Sequence, residues 1–479
     1  MRDNWQAMTI TYQQAFDYIH SFDDPYLAAL RNHGKQTWGL EGIRQLLDRL
    51  GSPHLAYPTI HVAGTKGKGS TAAFITQGLI ESGLRTGLYI SPHLQEWRER
   101  IQVNRQEIAP EALARLVEDI RPHADGMPLS AFEITTALAL WHFAREGCDA
   151  AVIEVGLGGR LDATSVVEPI VAVITNISRD HMQLLGDTLG EIAGEKAAII
   201  KPGVPVVSAP QPPEALTVIE EQATNQGSPL ILVGRDWQVE VVRLTWEGSE
   251  ALIGNKSLHR YRIGLAGAFQ VENAAVALAA LDAACHAGLP ITQAACEAAL
   301  AGTRWPGRLE IVSRRPLIVL DGAHNVHSMQ RLVESIEHLR RPQPTRGAVV
   351  FVFGCMADKE VGAMLQSLLP ITQRVILTAA QHVRAASPDD LLTAASEIIE
   401  TARGTGADWA DQISLKTAPD IASAIHMARQ GLQEDDLLCI TGSLSIAGEA
   451  RDELLGLPVS TEDETRHTSQ APHDRRRVF

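Results

Sequence analysis

A run of glycines, lysines and hydroxyl residues stands at Gly64–Thr71, with the sequence Gly-Thr-Lys-Gly-Lys-Gly-Ser-Thr. Glycines allow backbone N–H groups to point toward an anion, and the start of a helix adds a favourable dipole. Lys68 would bring positive charge to the β- and γ-phosphates of a nucleotide. The common phosphate-loop pattern differs, because Val62 stands at its first glycine and Gly69 is inserted before Ser70. The run predicts a phosphate-binding loop; the alternative is a glycine-rich surface turn with two lysines for solubility.

Four polar clusters follow apolar runs of the chain. They are Ser91–Leu94, Glu154–Asp162, Thr175–His181 and the pair Glu195-Lys196. In an open parallel sheet, ligands bind at the carboxyl ends of the strands. We therefore expect these clusters to lie beside the phosphate loop.

Three residues of these clusters have the chemistry of a magnesium cage. Mg²⁺ prefers hard oxygen ligands together with substrate phosphates, and Ser91, Glu154 and His181 would supply a hydroxyl, a carboxylate and an imidazole. Each cluster residue also has a purely structural explanation. Glu154 could cap a helix, His181 could be a hydrogen-bonded core histidine, and Lys196 could extend to solvent. Their joint occurrence favours the metal site.

Two further groups of polar residues are ambiguous. Ser130 and Glu133 fit a capping box at a helix start as well as a substrate contact. Asp321 follows an apolar strand and comes after Arg308, so it is well placed to accept hydrogen bonds from a nucleotide ribose or to orient an arginine. It could instead be the N-cap of a helix that starts at Val326.

The elements that must position these residues alternate along the chain. Apolar strands are predicted over residues 59–64, 86–90, 150–155 and 170–174, and helices over 70–82, 110–121, 132–146 and 271–288. Apolar strands between helices indicate a parallel sheet that is covered on both faces. Alternating stretches within residues 205–265 predict a small antiparallel addition.

A second alternating unit follows the turn Trp305-Pro306-Gly307. Its strands are predicted over residues 317–320, 348–353, 374–377 and 436–440, and its helices over 326–340, 359–369, 388–403 and 418–430. The fold class is therefore α/β, with an N-terminal P-loop-type parallel-sheet ATPase domain over residues 1–308. A smaller C-terminal Rossmann-like domain over 309–459 would face the same cleft, and residues 460–479 would form a disordered tail.

The composition restricts the partners and the compartment. The 57 acidic and 42 basic residues give a net charge of −15, which disfavours nucleic acid and anionic membranes as partners. No signal peptide and no run of eighteen apolar residues is visible. The five cysteines stand far apart in apolar contexts, which predicts buried thiols in a reducing compartment. We expect a cytoplasmic monomer.

Eight motifs, taken in order, resemble those of the folylpolyglutamate synthase and dihydrofolate synthase family, a branch of the Mur ligase superfamily. The resemblance runs from about Trp38 to about Asp452. Besides the phosphate loop, the motifs are Ser91–Leu94, Glu154–Asp162, Asp180–Thr188, Glu195–Ala197, Pro306–Arg308, Asp321–Asn325 and Thr441–Leu444.

The resemblance implies an ATP-dependent ligase that joins L-glutamate to a folate or to dihydropteroate. Catalytic roles are implied for Lys68, Lys196 and His181, with Lys196 carried as a carbamate, which turns a cation into an anion. ATP contacts are implied at Gly64, Thr65, Lys66, Gly67, Lys68, Gly69, Ser70, Thr71, Asn273, Arg308 and Asp321. Two magnesium sites are implied around Ser91, Glu154 and His181, together with a monovalent cation. Pterin contacts are implied at Thr37, Trp38, Gly39, Ser130, Ala131, Phe132, Glu133, Leu161, Asp162 and Ala163.

The sequence departs from the family pattern at several positions. Lys66 stands where many bacterial members have asparagine, and Ser165, Ala198 and Val383 replace asparagine, glycine and proline. None of these removes a charged ligand. On the pterin side, Gly42 replaces a usual arginine, and Ser130 and Ala131 also differ.

The implied chemistry needs no protein nucleophile. The substrate carboxylate attacks the γ-phosphate of ATP while Lys68 and magnesium neutralise charge, and the glutamate amine then displaces phosphate from the acyl phosphate. Two alternatives stay open: a superfamily ligase that acts on cell-wall nucleotide peptides, and a nucleotide-binding regulator without ligase activity. The inserted Gly69 favours the folate branch. The sequence leaves open whether the first glutamate, later ones or both are added.

Overall fold

The computed structural model describes residues 10–22, 39–341 and 347–457. The predicted contacts Thr37 and Trp38 and the predicted tail at 460–479 lie outside these residues. The chain forms two compact units. The first comprises the chain to His93 together with Arg98–Arg304, and the second comprises Leu94–Trp97 together with the chain from Trp305.

The main sheet of the first unit has eight strands, in the order β4-β3-β2-β5-β1-β6-β7-β8. Their bounds are β1 (Thr59–Ala63), β2 (Thr86–Tyr89), β3 (Ile101–Val103), β4 (Gln106–Glu107), β5 (Ala150–Glu154), β6 (Pro169–Ile174), β7 (Val206–Ser208) and β8 (Leu230–Leu232). Six strands run parallel, namely β1, β2, β5, β6, β7 and β8. Strands β3 and β4 at one edge of the sheet pair antiparallel. Strands β1, β2 and β5 are buried along their whole length, as expected where helices cover both faces.

Ten helices of the first unit lie within the described residues. They are α1 (Tyr12–His20), α2 (Glu41–Arg49), α3 (Lys68–Glu81), α4 (Pro110–Ala124), α5 (Ala131–Arg145), α6 (Met182–Leu185), α7 (Leu189–Ala197), α8 (Pro213–Asn225), α9 (Ala268–His286) and α10 (Gln293–Gly302). Helix α3 packs against α9 and α10. Within the described chain, α9 is the one helix long and apolar enough to cross a membrane, and 67% of its most apolar window is buried inside the protein.

The antiparallel addition is smaller than the sequence predicts. Three strands form it in the order β11-β10-β9, namely β9 (Gln238–Thr245), β10 (Gly248–Gly254) and β11 (His259–Ile263). The prediction is wrong for the first part of the range, because β7 and β8 join the main sheet as parallel strands. Helix α8 provides the crossover between them, which parallel pairing requires.

The second unit contains a sheet of six strands in the order β12-β13-β17-β14-β15-β16. Its strands are β12 (Glu310–Arg314), β13 (Leu317–Leu320), β14 (Val349–Phe353), β15 (Arg374–Leu377), β16 (Ser414–Thr417) and β17 (Leu437–Thr441). Its helices are α11 (Val326–Arg340), α12 (Val361–Leu368), α13 (Pro388–Gly404), α14 (Ile421–Arg429) and α15 (Leu444–Leu455). All strands except β12 run parallel, so the predicted α/β class is confirmed.

The sequence misses the two edge strands of this sheet. β12 and β16 are only partly buried and contain polar residues along their length, so they lack a continuous apolar signal. The cysteine prediction is wrong at one position. Cys285 is exposed near the end of α9, where the helix leaves the core, whereas the other four thiols are buried.

Candidate active site

The phosphate loop leaves β1 at the carboxyl edge of the main sheet and enters α3 at Lys68. Gly67 is the N-cap of α3 with a φ of 90°, and no side chain of the described residues caps the helix start. A Cβ atom at Gly67 would overlap the side chain of Asn273, so α9 brings Asn273 directly against the loop. A helix start without a side-chain cap presents N–H groups to an anion.

A second loop, residues 175–180 after β6, holds the phosphate loop. The backbone N–H of Thr65 donates to the carbonyl oxygen of Asn176 at 2.8 Å. The Nζ atom of Lys66 forms an ion pair with Oδ2 of Asp180 at 2.9 Å. These side chains are only 19% and 10% exposed, so water screens the pair less than it would at the surface.

Glu154 ends β5 with its carboxylate buried at the same sheet edge. Its Oε1 atom lies 4.0 Å from Nζ of Lys68, and its Oε2 atom accepts a hydrogen bond from the backbone N–H of Ser91 at 3.3 Å. Strands β2 and β5 are parallel neighbours, so their ends meet at one edge. The structure therefore brings Lys68, Ser91 and Glu154 together.

Lys196, near the end of α7, is 4% exposed. Its Nζ atom donates a hydrogen bond to the carbonyl oxygen of Gly64 at 3.0 Å. Burial is the main cause that lowers the pKa of Lys196 to about 7; Lys68 lowers it further, and Asp180 opposes the shift. A substantial share of neutral amine is therefore present at neutral pH, and the neutral amine is the nucleophilic form.

His181 lies at the end of the loop that holds Lys66. It adopts a left-handed backbone with a φ of 50°, and its ring Nε2 atom is 3.9 Å from Oδ1 of Asp180. The described residues contain no group of three His, Cys, Asp or Glu side chains that could hold a metal alone. A site built on Glu154 and Ser91 fits magnesium through its oxygen donors, and substrate phosphates would complete it.

The predicted pterin contacts lie on the turn after β5 and at the start of α5. Asp162 is buried and accepts hydrogen bonds from the backbone N–H groups of Leu157 at 2.8 Å and Thr164 at 3.0 Å. Burial raises the pKa of Asp162, although these hydrogen bonds and Lys68 oppose the shift. A Cβ atom at Gly156 would overlap the ring of Phe132, so the turn packs closely on that ring.

The other predicted pterin contacts are placed as follows. Ser130 and Glu133 form the capping box of α5, in which the Glu133 carboxylate accepts from the backbone N–H of Ser130 at 2.9 Å. Ala131 is the first residue of that helix. Leu161 is 43% exposed, Ala163 is buried, and Gly39 is described just before α2.

In the second unit, Asp321 follows β13 and is buried. Its carboxylate accepts hydrogen bonds from the backbone N–H groups of Leu309 and Ala323, both at 2.9 Å. Burial raises the pKa of Asp321, and the charge of Arg308 opposes the shift. The N-cap of α11 is Asn325, so the alternative that Asp321 caps this helix is wrong.

Two polar residues that shape the site were not assigned a role from the sequence. Gln270 is fully buried on α9, donates to the Ser70 hydroxyl at 3.2 Å and accepts from the Asn273 amide at 3.0 Å. Asp180 holds Lys66. A glutamine and an asparagine three residues apart on an apolar helix could have signalled this site, because buried amides need partners.

Two family models match the chain. The Mur ligase middle domain matches residues 62–281, and the Mur ligase glutamate ligase domain matches residues 307–444. With the phosphate loop at the edge of a parallel sheet, these matches place the chain in the Mur ligase superfamily.

Individual relatives identify the family within the Mur ligase superfamily. A probable bifunctional folylpolyglutamate synthase/dihydropteroate synthase of Haloferax volcanii is 37% identical over 86% of this chain, which spans only 48% of that relative. The dihydrofolate synthase/folylpolyglutamate synthase of Bacillus subtilis is 34% identical over 88% of this chain and 97% of its own length. The structure of Mycobacterium tuberculosis folylpolyglutamate synthase complexed with ADP is 30% identical, covers 92% of this chain and 98% of its own, and superposes with a TM-score of 0.80. The chain belongs to the folylpolyglutamate synthase and dihydrofolate synthase family.

Proposed function

We propose that this chain is an ATP-dependent ligase that joins L-glutamate to the carboxylate of a folate. The main support is that Lys68 and Glu154 meet at the start of α3, where no side chain of the described residues caps the helix. Nζ of Lys68 lies 4.0 Å from Oε1 of Glu154, and both side chains are mostly buried. Buried charges at a sheet edge suit phosphate transfer, since preorganised groups stabilise developing charge there. The names of the bacterial relatives support folate over cell-wall nucleotide peptides as the substrate.

Several groups of the protein would act in the first step, the transfer of the γ-phosphoryl group of ATP to the folate carboxylate. Lys68 would neutralise charge on the transferred γ-phosphoryl group as the folate carboxylate attacks it. The first N–H groups of α3 would hold the phosphates. The remaining ATP contacts of the first unit would include Asn273, which lies against Gly67. The glutamate amine then attacks the acyl phosphate, forms the amide bond and releases phosphate.

Magnesium fits the oxygen donors beside Lys68. Glu154 and Ser91 would hold it, with His181 as the further predicted ligand. When bound, the ion would neutralise phosphate charge and orient the γ-phosphoryl group. The buried position of Glu154 supports this role, because a carboxylate in the interior is stabilised by neighbouring positive charge, and a bound cation would add to the charge of Lys68.

Lys196 is proposed to carry a carbamate. Its neutral amine would attack carbon dioxide, a nitrogen–carbon bond would form, and the proton of the nitrogen would leave to solvent. The product is an anion beside Lys68 and Lys66, which lie near enough to lower the pKa of the unmodified amine. This reversal of charge would suit a site that must organise cations.

The test is amide formation by the purified protein with ATP, magnesium and L-glutamate. Tetrahydrofolate and dihydropteroate are supplied separately, a UDP-linked muramyl peptide acceptor serves as the comparison, and products are identified by mass. Glutamylated folate together with released phosphate is expected. ATP turnover without amide would favour a nucleotide-binding regulator, and a product only from the muramyl acceptor would favour the other Mur branch. Product from dihydropteroate would show that the first glutamate is added, and product from tetrahydrofolate would show that later glutamates are added.

A further inference from the structure

A buried histidine links the phosphate-loop strand to the turn that carries Asp162. His61 stands at the centre of β1 and is fully buried. Its ring Nε2 atom lies 2.9 Å from the hydroxyl oxygen of Thr164, a residue more than one hundred positions later in the chain. A buried polar side chain inside a parallel strand is unusual, so this contact calls for a physical reason.

The direction of the hydrogen bonds follows from the donors available. The Thr164 hydroxyl donates its single proton to Oδ1 of Asp162 at 2.5 Å. It can therefore only accept from His61, so Nε2 carries the proton. The other ring nitrogen, Nδ1, has no hydrogen-bond partner within the described chain and would be an unsatisfied donor if protonated. Burial also lowers the pKa of His61 to about 3, so the ring is neutral.

The chain of contacts continues into the turn after β5. Oδ2 of Asp162 accepts from the backbone N–H of Leu157 at 2.8 Å, which closes the turn on itself. The Ser165 hydroxyl donates to the carbonyl oxygen of Gly159 at 2.5 Å. The turn is therefore fixed by side chains that are themselves fixed by β1.

We propose that His61 is a positioning residue for the folate substrate, acting through Thr164 to hold Asp162 and the adjoining turn in place. The inference rests on the proposed function, since Asp162 is a predicted pterin contact. The ring hydrogen bond of His61 within the described chain runs to Thr164, which belongs neither to the phosphate loop nor to the predicted metal ligands. Its loss should therefore weaken folate binding while leaving nucleotide binding nearly unchanged.

The first test compares His61→Leu with His61→Gln in direct binding measurements. Leucine removes the donor, whereas the glutamine amide can replace Nε2–H. We expect His61→Leu to weaken folate binding about fivefold to tenfold, the loss typical of one buried hydrogen bond, and to leave ADP binding within about twofold. His61→Gln should recover most of the folate affinity. Equal losses for both ligands, or unchanged folate affinity in a folded His61→Leu protein, would overturn the proposal.

Two further variants keep the test decisive. Thr59→Val is the matched control, because Thr59 lies on the same strand, is buried and has a hydroxyl without a partner among the described residues. It should not change folate binding. If His61→Leu does not fold, Thr164→Val interrupts the same chain with a side chain of equal shape and should weaken folate binding to a similar extent.

A spectroscopic readout separates this inference from the proposed function. The ¹⁵N chemical shifts of His61 in the wild-type protein should report a neutral ring protonated at Nε2. A ring protonated at Nδ1, or charged at neutral pH, overturns the link to Thr164 whatever the substrate is. A wild-type protein that shows the expected tautomer but binds no folate contradicts the proposed function and the substrate named here, while the link itself stands.

Discussion

The side-chain amine of Lys196 donates a hydrogen bond to the carbonyl oxygen of Gly64 at 3.0 Å, directly at the first residue of the phosphate loop. This contact places a lysine with a lowered pKa at the point where the loop begins. The same two residues are separated by more than one hundred positions in the chain.

Carbamate formation on Lys196 should depend on pH. Because the pKa of Lys196 is lowered to about 7, the fraction of neutral, reactive amine increases as the pH rises from 6 to 8. The extent of modification should therefore increase over this range. ¹³C NMR of protein treated with labelled carbon dioxide should show a carbamate signal that Lys196→Met abolishes. Lys201→Met is the control, since Lys201 is a partly buried lysine of the same unit whose pKa is also lowered by burial, and it should retain the signal. A signal that survives in Lys196→Met would contradict the assignment.

Loss of Lys68 should reduce catalysis strongly. We expect Lys68→Ala to lower kcat/KM by a factor of roughly 30 to 1000, about 2 to 4 kcal/mol, as for removal of one preorganised electrostatic contact. Initial rates of phosphate release and amide formation measure the effect. Lys256→Ala, at an exposed turn of the three-stranded sheet, should leave the rates unchanged. Near-normal ligation by Lys68→Ala would show that the loop does not serve the transferred phosphate.

The ion pair between Lys66 and Asp180 should show coupling between its partners. Lys66→Asn introduces the residue that many bacterial members carry, and we expect it to weaken ADP binding several-fold because the loop loses its ion pair with Asp180 and keeps only its hydrogen bonds to residues 176–178. Combined with Asp180→Asn, a double-mutant cycle in ADP affinity should give an interaction energy of about 0.5 to 3 kcal/mol. Fully additive effects would mean that the two side chains act independently.

Gly67 should tolerate no side chain. Gly67→Ala places a Cβ atom at a φ of 90° and against Asn273, so it should both destabilise the protein by about 1 to 2 kcal/mol and abolish ADP binding. Gly83→Ala is the matched control, because Gly83 has a φ of 84° with nothing within 4 Å. It should cost similar stability in thermal unfolding and leave ADP binding intact. Loss of ADP binding in both variants would show that general destabilisation by a strained backbone, and not the contact with Asn273, abolishes binding in Gly67→Ala.

The sequence alone predicted the parts of the molecule that depend on local patterns. The apolar strands β1, β5 and β6 and the helices that follow the phosphate loop carry their period in the residues themselves. The capping box at Ser130 and Glu133 is likewise a local signal, and the structure contains it. Edge strands such as β16 were missed because partial burial leaves no continuous apolar run.

Only the tertiary structure decided which distant residues meet. The pairing of β1 with β5 and β6 brings Glu154 and Asp180 to the phosphate loop, and the packing of α9 on α3 brings Asn273 to Gly67. The lowered pKa of Lys196 also depends on burial by neighbouring elements, which composition does not encode. The phosphate loop could therefore be predicted from the sequence. The groups that complete it, and the contact of His61 in β1 with Thr164, required the fold, because contact and desolvation are properties of packing.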